Sequence, residues 1–210
     1  MTRSPWLDIP LADYESHMAH ASVGQASFLA DVLEWSVEIF EPASIAVIGC
    51  AGGNGFDRDR VQKVSRVVGV DINPRYVDAA RRRYTAALHG LELYCMNVET
   101  DTFEFEPVDL VLAALLFEHV ATAPTLRNLR RGCRSGGVIV SVLQLPLESK
   151  SSVSPSPYAS VQTLASTMKL LSPEELRARA ADAGFALESQ STRQLPNGKS
   201  FSVQSFRASN

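Results

Sequence analysis

The sequence predicts an α/β fold, a three-layer α/β/α sandwich around a seven-stranded, mostly parallel sheet. Between residues 44 and 144, short β-branched runs alternate with helical stretches, a pattern typical of βαβ units. Residues 172–207 indicate instead a helix followed by two alternating strands, an antiparallel hairpin at the sheet edge. A chain of 210 residues with 45% hydrophobic side chains is large enough to bury one core, so we expect a single domain.

Charge and composition exclude several classes of protein. The 20 basic and 23 acidic side chains give a net charge of −3, which argues against a protein that binds the phosphate backbone of nucleic acid. The three cysteines form no CxxC pair, which excludes a disulfide scaffold and a zinc ribbon. No apolar run approaches the ~18 residues of a membrane span, and residues 1–10 lack the apolar core of a signal peptide. We therefore expect a soluble, cytoplasmic protein without a membrane partner.

The first 43 residues are predicted to be helical. Apolar side chains recur at three- and four-residue spacings between Ala21 and Phe40, which indicates an amphipathic helix with one buried face. The Glu41-Pro42 pair ends this helix. The predicted buried face consists of Val23, Phe28, Val32, Trp35 and Ile39.

Strands and helices then alternate in order through the central part of the chain. Each strand is a short run rich in Val, Ile and Leu, as expected for a parallel sheet covered on both faces. The predicted strands are 44–49, 66–71, 91–96, 108–114 and 138–143. The predicted helices are 55–63, then 74–88 with a proline in its first turn, and finally a helix that ends near Cys133.

The C-terminal part follows a different pattern. Residues 135–137 are predicted to form a turn before the strand at 138–143. After that strand, residues 146–157 are rich in Ser and Pro and are predicted to form a loop. Ser172 is an N-cap before Pro173, and the helix that it begins is predicted to end at Gly184. Residues 185–193 and 200–207 are the strands of the hairpin, joined by a Pro-Asn-Gly turn.

The most informative segment is the loop of small residues after the first strand. Residues 48–55 read Ile-Gly-Cys-Ala-Gly-Gly-Asn-Gly, and glycines there let the backbone approach a ligand closely. Asp71 ends the second strand, 22 residues after Gly49, and neighbouring parallel strands end at the same edge of the sheet. Its carboxylate is therefore placed to accept two hydrogen bonds from a ribose diol, which predicts a nucleoside-containing ligand.

The glycine spacing distinguishes between nucleoside cofactors. A dinucleotide fingerprint requires a third glycine where this chain has Asn54, whereas Gly49, Ala51 and Gly53 fit a Gly-x-Ala-x-Gly pattern. This loop resembles motif I of the class I S-adenosylmethionine-dependent methyltransferases. The resemblance continues in family order through V-V-G-V-D-I-N-P, L-E-L-Y-C-M-N-V, D-L-V-L-A-A-L-L-F-E-H-V and R-G-C-R-S-G-G-V-I-V, which are residues 67–74, 91–98, 109–120 and 131–140.

The resemblance covers about residues 44–207 and implies both the strand order and the cofactor. In this family the seventh strand is antiparallel and lies between the fifth and sixth, which gives the order 3-2-1-4-5-7-6. The implied cofactor is S-adenosyl-L-methionine, with S-adenosyl-L-homocysteine as product. The residues that match the family's cofactor-binding positions are Gly49, Cys50, Ala51, Gly53, Asp71, Ile72, Asn97, Val98 and Ala114, with Met96 and Ile72 on either side of the adenine ring.

Two positions depart from the family pattern. The family often has an acid two residues before the first glycine, where this chain has Val47. The methionine ammonium must therefore be held by another group, such as the carbonyl of Gly49. The usual acid at the adenine position is Asn97, whose side-chain oxygen still accepts a hydrogen bond from the amino group.

Candidate catalytic and acceptor-binding residues lie in the predicted covering segments. His119 has the intrinsic pKa of a general base near neutral pH and follows Glu118 after the fourth strand; the alternative is that both residues serve packing and capping. No metal site is predicted, because the four histidines have no ligand spacing. The candidate acceptor-binding residues are Tyr14, His17, Phe117, Gln144 and Tyr158.

These observations predict one domain over residues 1–210 that transfers a methyl group to a small-molecule acceptor by in-line displacement. Its parts are a helical cover (1–43), a nucleoside-binding core (44–144), a substrate-side loop (145–171) and a helix with hairpin (172–210). Three alternatives stay open: a non-catalytic nucleoside-binding protein, a nicotinamide-dependent oxidoreductase, and a methyltransferase of a protein substrate. The sequence predicts neither the acceptor nor the oligomeric state.

Overall fold

The computed structural model describes residues 4–146 and 152–209, and their core is a seven-stranded sheet of order β3-β2-β1-β4-β5-β7-β6. The first five strands are parallel, whereas β7 is antiparallel to both β5 and β6. This arrangement confirms the predicted fold class and strand order. The strands are β1 (Ser44–Ile48), β2 (Arg66–Asp71), β3 (Leu91–Cys95), β4 (Val108–Ala114), β5 (Cys133–Gln144), β6 (Phe185–Gln194) and β7 (Ser200–Ala208).

Helices cover both faces of the sheet. On one face, Leu33 of the second helix packs with Phe56 and the side chains of β1. On the other, Leu129 and Leu176 from the fourth and sixth helices pack against β4 and β5. The helices are α1 (Leu11–Ala19), α2 (Gln25–Phe40), α3 (Pro74–Tyr84), α4 (Thr122–Gly132), α5 (Ala159–Gln162) and α6 (Pro173–Asp182), with 3-10 helices at Pro5–Leu7, Val61–Lys63 and Thr163–Ser166.

The buried face of α2 differs from the predicted one. Trp35 is 38% exposed and Ile39 is 51% exposed, so the prediction that both are buried is wrong. The stripe that packs on the sheet contains Leu29, Leu33 and Val37 instead. Both stripes have helical spacing, and the helix is apolar around much of its circumference, so periodicity alone does not determine which stripe faces the core.

The predicted helix at residues 55–63 is not formed. The chain makes turns through residue 60, and only the 3-10 turn Val61–Lys63 follows. Gly53 and Gly55 have φ angles of 90° and 86°, outside the helical region. Residues 57–60 are all charged, so a helix there has no apolar face to offset the cost of nucleation. The small-residue loop therefore leads into turns and has no α-helix N-terminus behind it.

The C-terminal elements agree with the sequence except at the start of β5. This strand begins at Cys133, and Gly136, with a φ of 73°, lies inside it rather than in a separate turn. The Ser172 hydroxyl accepts a hydrogen bond from the backbone of Glu175 at 3.0 Å and caps α6, which ends before Gly184 as predicted. Within the predicted loop 146–157, residues 147–151 lie outside the described part of the chain.

Phe56 anchors the turns that replace the expected helix. Its side chain is fully buried, and its ring meets Tyr84 edge-on with centroids 5.5 Å apart. We expect Phe56→Ala to lower the free energy of unfolding by about 3–5 kcal/mol, because it leaves a cavity beneath the small-residue loop. Ile39→Ala removes a large apolar side chain from an exposed position and should change stability by less than about 0.5 kcal/mol. Urea unfolding of both variants checks this, and equal losses would contradict it.

Candidate active site

A cavity of about 610 Å³ opens at the edge of the sheet where the parallel strands end. This volume is in the range of sites that bind small molecules and cofactors. Its walls come from the ends of β1, β2 and β4, from the segment after β3, and from the N-terminal and 152–168 segments. The glycine loop, residues 49–55, forms its floor with Gly49 and Ala51 in the lining.

The glycine loop is folded across the end of β2. The backbone N–H groups of Gly49 and Cys50 both donate to the carbonyl of Val70, at 2.8 and 3.0 Å. Ala51 has a φ of 48°, in the left-handed region that a residue with a Cβ seldom adopts. Leu115, at the end of β4, has a φ of 52° and also lines the cavity. Backbone strain of this kind concentrates at functional sites, where the surrounding structure holds it in place.

Asp71 is fixed between the glycine loop and α3. Its Oδ2 accepts from the N–H of Ala51 at 2.9 Å, and its Oδ1 accepts from the N–H of Asn73 at 2.9 Å. Only 7% of the residue is exposed, and it lines the cavity. Burial raises the pKa of the carboxyl to about 6, although the two backbone hydrogen bonds favour the charged form. Each carboxylate oxygen keeps lone-pair capacity for another donor.

The segment after β3 forms the cavity wall beside Asp71. Asp71 pairs with Cys95 across the sheet, so the residues that follow lie next to its carboxylate. The Oδ1 atom of Asn97 accepts from the N–H of Glu99 at 3.0 Å, which fixes the side chain at the wall. Three apolar side chains and one amide form this part of the lining: Ile72, Met96, Val98 and Asn97.

An N-terminal cover segment, residues 4–19, closes the cavity from above. The Asn73 Nδ2 donates to the Trp6 carbonyl at 2.8 Å, and the Tyr76 hydroxyl donates to the Ile9 carbonyl at 3.0 Å. The ring of Tyr14 stacks on that of Tyr76 with centroids 6.2 Å apart, and both rings line the cavity. Burial, together with the charge of Asp71, raises the pKa of Tyr14, so its hydroxyl is neutral.

Arg83 connects the cover segment to the glycine loop. Its guanidinium forms a two-point ion pair with Glu15 of α1. The same guanidinium donates to the carbonyl of Gly52 at 3.2 Å. The cover, the glycine loop and α3 are thus joined by direct hydrogen bonds around the cavity.

The acceptor wall, which we define as His17, Gln144, Ser152 and Lys199, closes the opposite end. The Lys199 Nζ donates to Gln144 Oε1 at 3.1 Å and to the Ser152 carbonyl at 2.7 Å. The His17 Nδ1 is 2.8 Å from the hydroxyl of Ser156. Burial, and next the charge of Lys199, lowers the pKa of His17, which keeps the imidazole neutral at pH 7.

The two candidate catalytic residues have different environments. His119 lines the cavity, with its ring edge-on to Trp6 at a centroid distance of 5.0 Å, and burial lowers its pKa to about 4. Glu118 is 1% exposed and lies behind the lining, where Oε1 accepts from the N–H of Gln144 at 2.7 Å. Burial raises its pKa to about 7, and its Oε2 is buried without a hydrogen-bond partner in the described structure.

The cavity brings together most, but not all, of the residues predicted from the sequence. Of the cofactor positions, Gly49, Ala51, Asp71, Ile72, Asn97, Val98 and Ala114 line it, as do Tyr14, His17, Gln144 and His119. Cys50 and Gly53 are not in the lining: the Cys50 side chain is buried in the core, and Gly53 packs so closely against the ring of Tyr84 that an added Cβ would clash with it.

Phe117 and Tyr158 do not reach the lining. Phe117 is buried in the core on the other side of β4, and Tyr158 packs against a small cluster that contains Ile9 and Val153. Lys199 is the functional candidate that sequence reasoning missed. Its signal was available, because a lysine that directly follows a hairpin turn beside the carboxyl end of β5 lies at the edge where the cavity forms.

Comparison with known proteins agrees with this geometry. Residues 47–141 match the family model described as a methyltransferase domain, and no curated protein matches the sequence. The match and the strand order confirm the predicted resemblance to the class I S-adenosylmethionine-dependent methyltransferases. The resemblance extends beyond the matched stretch to the hairpin of β6 and β7 at the sheet edge.

Solved structures with the same fold come from several enzymes. The N-methyltransferase NodS of Bradyrhizobium japonicum, in complex with S-adenosyl-L-homocysteine, is 14% identical with a TM-score of 0.64, covering 89% of this chain and 88% of that one. A sarcosine dimethylglycine methyltransferase from Galdieria sulphuraria, described as putative, is 15% identical with a TM-score of 0.65, covering 91% and 88%. The [4+2]-cyclase SpnF is 12% identical with a TM-score of 0.64, covering 86% and 80%. At these identities the similarity establishes the fold.

Within residues 4–146 and 152–209, no group of three or more His, Cys, Asp or Glu side chains is arranged to hold a metal ion. None of the helices in the same ranges has the length and hydropathy needed to cross a membrane.

The buried carboxyl of Glu118 gives stability an unusual pH dependence. Its folded pKa of about 7 lies above the ordinary value of 4.5, so the folded protein binds this proton more tightly than the unfolded chain does. The stability that the protonated carboxyl contributes is therefore full at low pH and is lost as pH rises through 7. We expect Glu118→Gln, which keeps the acceptor for Gln144, to be more stable than the wild type at pH 8 by about 2–3 kcal/mol.

At pH 5 the difference should shrink to about 1 kcal/mol or less, because the folded wild-type carboxyl is then protonated and the pH is close to the unfolded pKa of 4.5. Urea unfolding at both pH values measures the difference. Glu104→Gln, at an exposed position, is the matched control and should shift neither value. A Glu118→Gln protein less stable than the wild type at pH 8 would contradict the raised pKa of this carboxyl.

Proposed function

We propose that this chain transfers a methyl group from S-adenosyl-L-methionine to a small-molecule acceptor. The observation that carries the proposal is the carboxylate of Asp71, buried at the end of β2, held by the glycine loop and open to the cavity. A carboxylate at this position accepts from the two hydroxyls of a ribose. The family match of residues 47–141 supports the same assignment.

The residues around Asp71 fit an adenosyl group. The side chains of Ile72 and Met96 line the cavity together and supply apolar surfaces for the two faces of a purine. Asn97 and Val98 lie at the edge of that space, where Asn97 supplies a polar side chain for an amino group. We assign the adenine to these four residues and the ribose to Asp71.

The methionine part is assigned to the glycine loop and the cover segment. Val47, at the position of the family's acid, is buried in the core and does not line the cavity. We therefore assign the ammonium to backbone carbonyls such as that of Gly49, which lines the cavity. The cavity of about 610 Å³ extends past this point to the acceptor wall, which provides a compartment for a second molecule.

The chain's contribution to the reaction is mainly positioning. The sulfonium of the donor supplies an already activated methyl group. Residues of the cover segment exclude water, and the walls hold donor and acceptor together, an effect worth up to about 7–11 kcal/mol of the barrier. His119, with a pKa of about 4, is a weak base. We therefore assign no proton transfer to His119.

A second candidate is a protein that keeps the fold and the nucleoside site without methyl transfer. The similarity to the [4+2]-cyclase SpnF supports this candidate, because a cyclase with the same fold does not transfer a methyl group in the reaction that gives it its name. A nicotinamide-dependent oxidoreductase is disfavoured by Asn54 in place of a third glycine and by the antiparallel β7 between β5 and β6.

The net charge of −3 favours a small acceptor over nucleic acid. The three free cysteines fit the reducing cytoplasm, which is the location we propose. A protein acceptor is disfavoured by the cover segment, whose Trp6 and Tyr14 lie over the cavity. We propose a single domain over residues 1–210, whose core at 44–144 contains the residues assigned to the adenine and the ribose, while the cover segment contributes to the methionine end.

Titration of the protein with S-adenosyl-L-homocysteine tests the assignment of Asp71. With a pKa of about 6, the carboxylate loses its charge as pH falls, and with it the ability to accept from both ribose hydroxyls. We expect the Kd measured by calorimetry to be about tenfold higher at pH 5 than at pH 7. Asp71→Asn should bind about 10–100-fold more weakly at pH 7 and show a flat pH profile.

Asp78→Asn is the matched control, because Asp78 is exposed on α3 and bonded to Arg81. It should keep the wild-type Kd and its pH dependence. Wild-type affinity in Asp71→Asn, or binding of a nicotinamide cofactor in place of the homocysteine ligand, would overturn the assignment. Release of S-adenosyl-L-homocysteine from the donor in the presence of acceptors then separates an enzyme from a non-catalytic binding protein.

A further inference from the structure

His17 is a buried histidine of α1 whose ring lines the cavity. It is 4% exposed, and its Nδ1 lies 2.8 Å from the hydroxyl oxygen of Ser156. Among the described residues, no group makes a hydrogen bond to the other ring nitrogen, Nε2, and that atom is not fully enclosed by protein. Because the residue is otherwise buried, Nε2 reaches the open space of the cavity. A polar atom left unpaired there is a binding point for a ligand.

The hydrogen bonds of Ser156 determine which ring nitrogen of His17 carries the proton. The Ser156 Oγ accepts from the backbone N–H of Tyr158 at 3.3 Å and from Nε2 of Gln162 at 3.4 Å. These two donors occupy the two lone pairs of the hydroxyl oxygen. The hydroxyl therefore donates its own proton to Nδ1 of His17. A neutral imidazole that accepts at Nδ1 carries its proton on Nε2, so the ring presents an N–H donor to the cavity.

The imidazole of His17 is neutral at pH 7. Burial, and next the charges of Lys199 and His20, lowers its pKa. Protonation would also place a second N–H on Nδ1, opposite a serine oxygen whose lone pairs are already used. His17 therefore acts toward the cavity as an uncharged hydrogen-bond donor.

The position of His17 on α1 separates it from the adenosyl end of the cavity. Tyr14, one turn earlier on the same helix, is close enough to Asp71 for that carboxylate to raise its pKa. His17 lies about 4.5 Å farther along the helix axis. Its pKa responds to Lys199, at the start of β7, and not to Asp71. The N–H of His17 therefore faces the part of the cavity that we propose for the acceptor.

The segment at residues 152–168 holds this donor in place. The Ser160 hydroxyl donates to Asp13 Oδ2 at 2.6 Å, one turn before His17, so α1 is bonded to the segment at two points. Such fixing lowers the entropy that is lost when a ligand binds. A hydrogen bond formed in apolar surroundings is also stronger than one in water. The apolar side chains that this segment contributes to the lining include Val161, Leu164 and Met168.

We propose that the acceptor molecule carries a carbonyl oxygen, to which the Nε2–H of His17 donates a hydrogen bond. This inference rests on the proposed function, because it assigns a group of the molecule held next to the donor. A carbonyl oxygen is favoured over a hydroxyl because it brings no proton that needs a second partner. It is favoured over an anion because a neutral imidazole supplies no charge. His17 thus determines specificity, and Ser156 is the positioning residue that fixes its tautomer.

NMR of the protein labelled with 15N-histidine tests the tautomer directly. Long-range 1H–15N spectra distinguish a protonated ring nitrogen from an unprotonated one, and the signals of His17 are assigned by their loss in His17→Asn. At pH 7 we expect a protonated Nε2 and an unprotonated Nδ1. Ser156→Ala removes the proton donor to Nδ1 and should give a mixture of both tautomers.

Ser166→Ala is the matched control for this measurement, because Ser166 is exposed in the same segment, and it should leave the spectrum of His17 unchanged. A wild-type ring protonated on Nδ1 alone, or on both nitrogens, would overturn the inference. A pattern that Ser156→Ala leaves unchanged would overturn the positioning role of the serine.

A pair of probes that differ in one oxygen tests the assignment to the acceptor. Protein saturated with S-adenosyl-L-homocysteine is titrated in a calorimeter with acetophenone and with α-methylstyrene, in which a CH2 group replaces the carbonyl oxygen. We expect acetophenone to bind about fivefold more tightly, the effect of one neutral hydrogen bond. His17→Phe should abolish this preference. His17→Asn, which keeps a polar partner for Ser156 but has no N–H at the place of Nε2, should abolish it as well.

His89→Asn makes the same substitution at an exposed histidine and should keep the preference for acetophenone. Equal affinity of the wild type for the two probes, or a preference that survives in both His17 variants, would overturn the inference. A loss of S-adenosyl-L-homocysteine affinity in His17→Asn would also overturn it, by assigning the N–H to the donor's own carboxylate.

The outcomes for the two proposals are distinguishable. Failure of the wild type to bind S-adenosyl-L-homocysteine would overturn the proposed function and this inference with it. Normal binding of that ligand without any preference for acetophenone would overturn the inference alone.

Discussion

The carboxylate of Asp71 is the interaction on which the site depends. It accepts backbone hydrogen bonds from Ala51 in the glycine loop and from Asn73 at the start of α3, so one buried charge fixes two chain segments. Asn73 in turn holds the cover segment through Trp6. Within the described part of the chain no cationic side chain pairs with it, so burial makes this charge costly and raises the folded pKa to about 6. A ligand that donates hydroxyl groups to the carboxylate offsets part of that cost.

The two ends of the cavity are built from different chemical groups. At the adenosyl end, backbone groups and one acid define the site, and the strained φ angles of Ala51 and Leu115 mark where the chain is held against its preference. At the acceptor wall, a hydrogen-bond network from Glu118 through Gln144 fixes a lysine. The first end is the one that we propose for the donor, and the second is the one that we propose for the acceptor.

Features that depend on residues close together in the sequence were predicted well. Features that depend on tertiary packing were not. The strand order and Asp71 could be predicted because a strand, a small-residue loop and a terminal acid follow in a fixed order. The α2 face was misassigned because Trp35 and Leu33 have equally good helical spacing, and only the sheet decides between them. Lys199 was missed because β7 meets β5 through a pairing more than 50 residues apart in sequence.

A crystal structure of the protein grown with S-adenosyl-L-homocysteine tests the central claim most directly. The account predicts both ribose hydroxyls within hydrogen-bond distance of the Asp71 carboxylate, the purine between Ile72 and Met96, and space left open beside Lys199. A ligand bound elsewhere, or a ribose turned away from Asp71 while the glycine loop keeps its conformation, would contradict it.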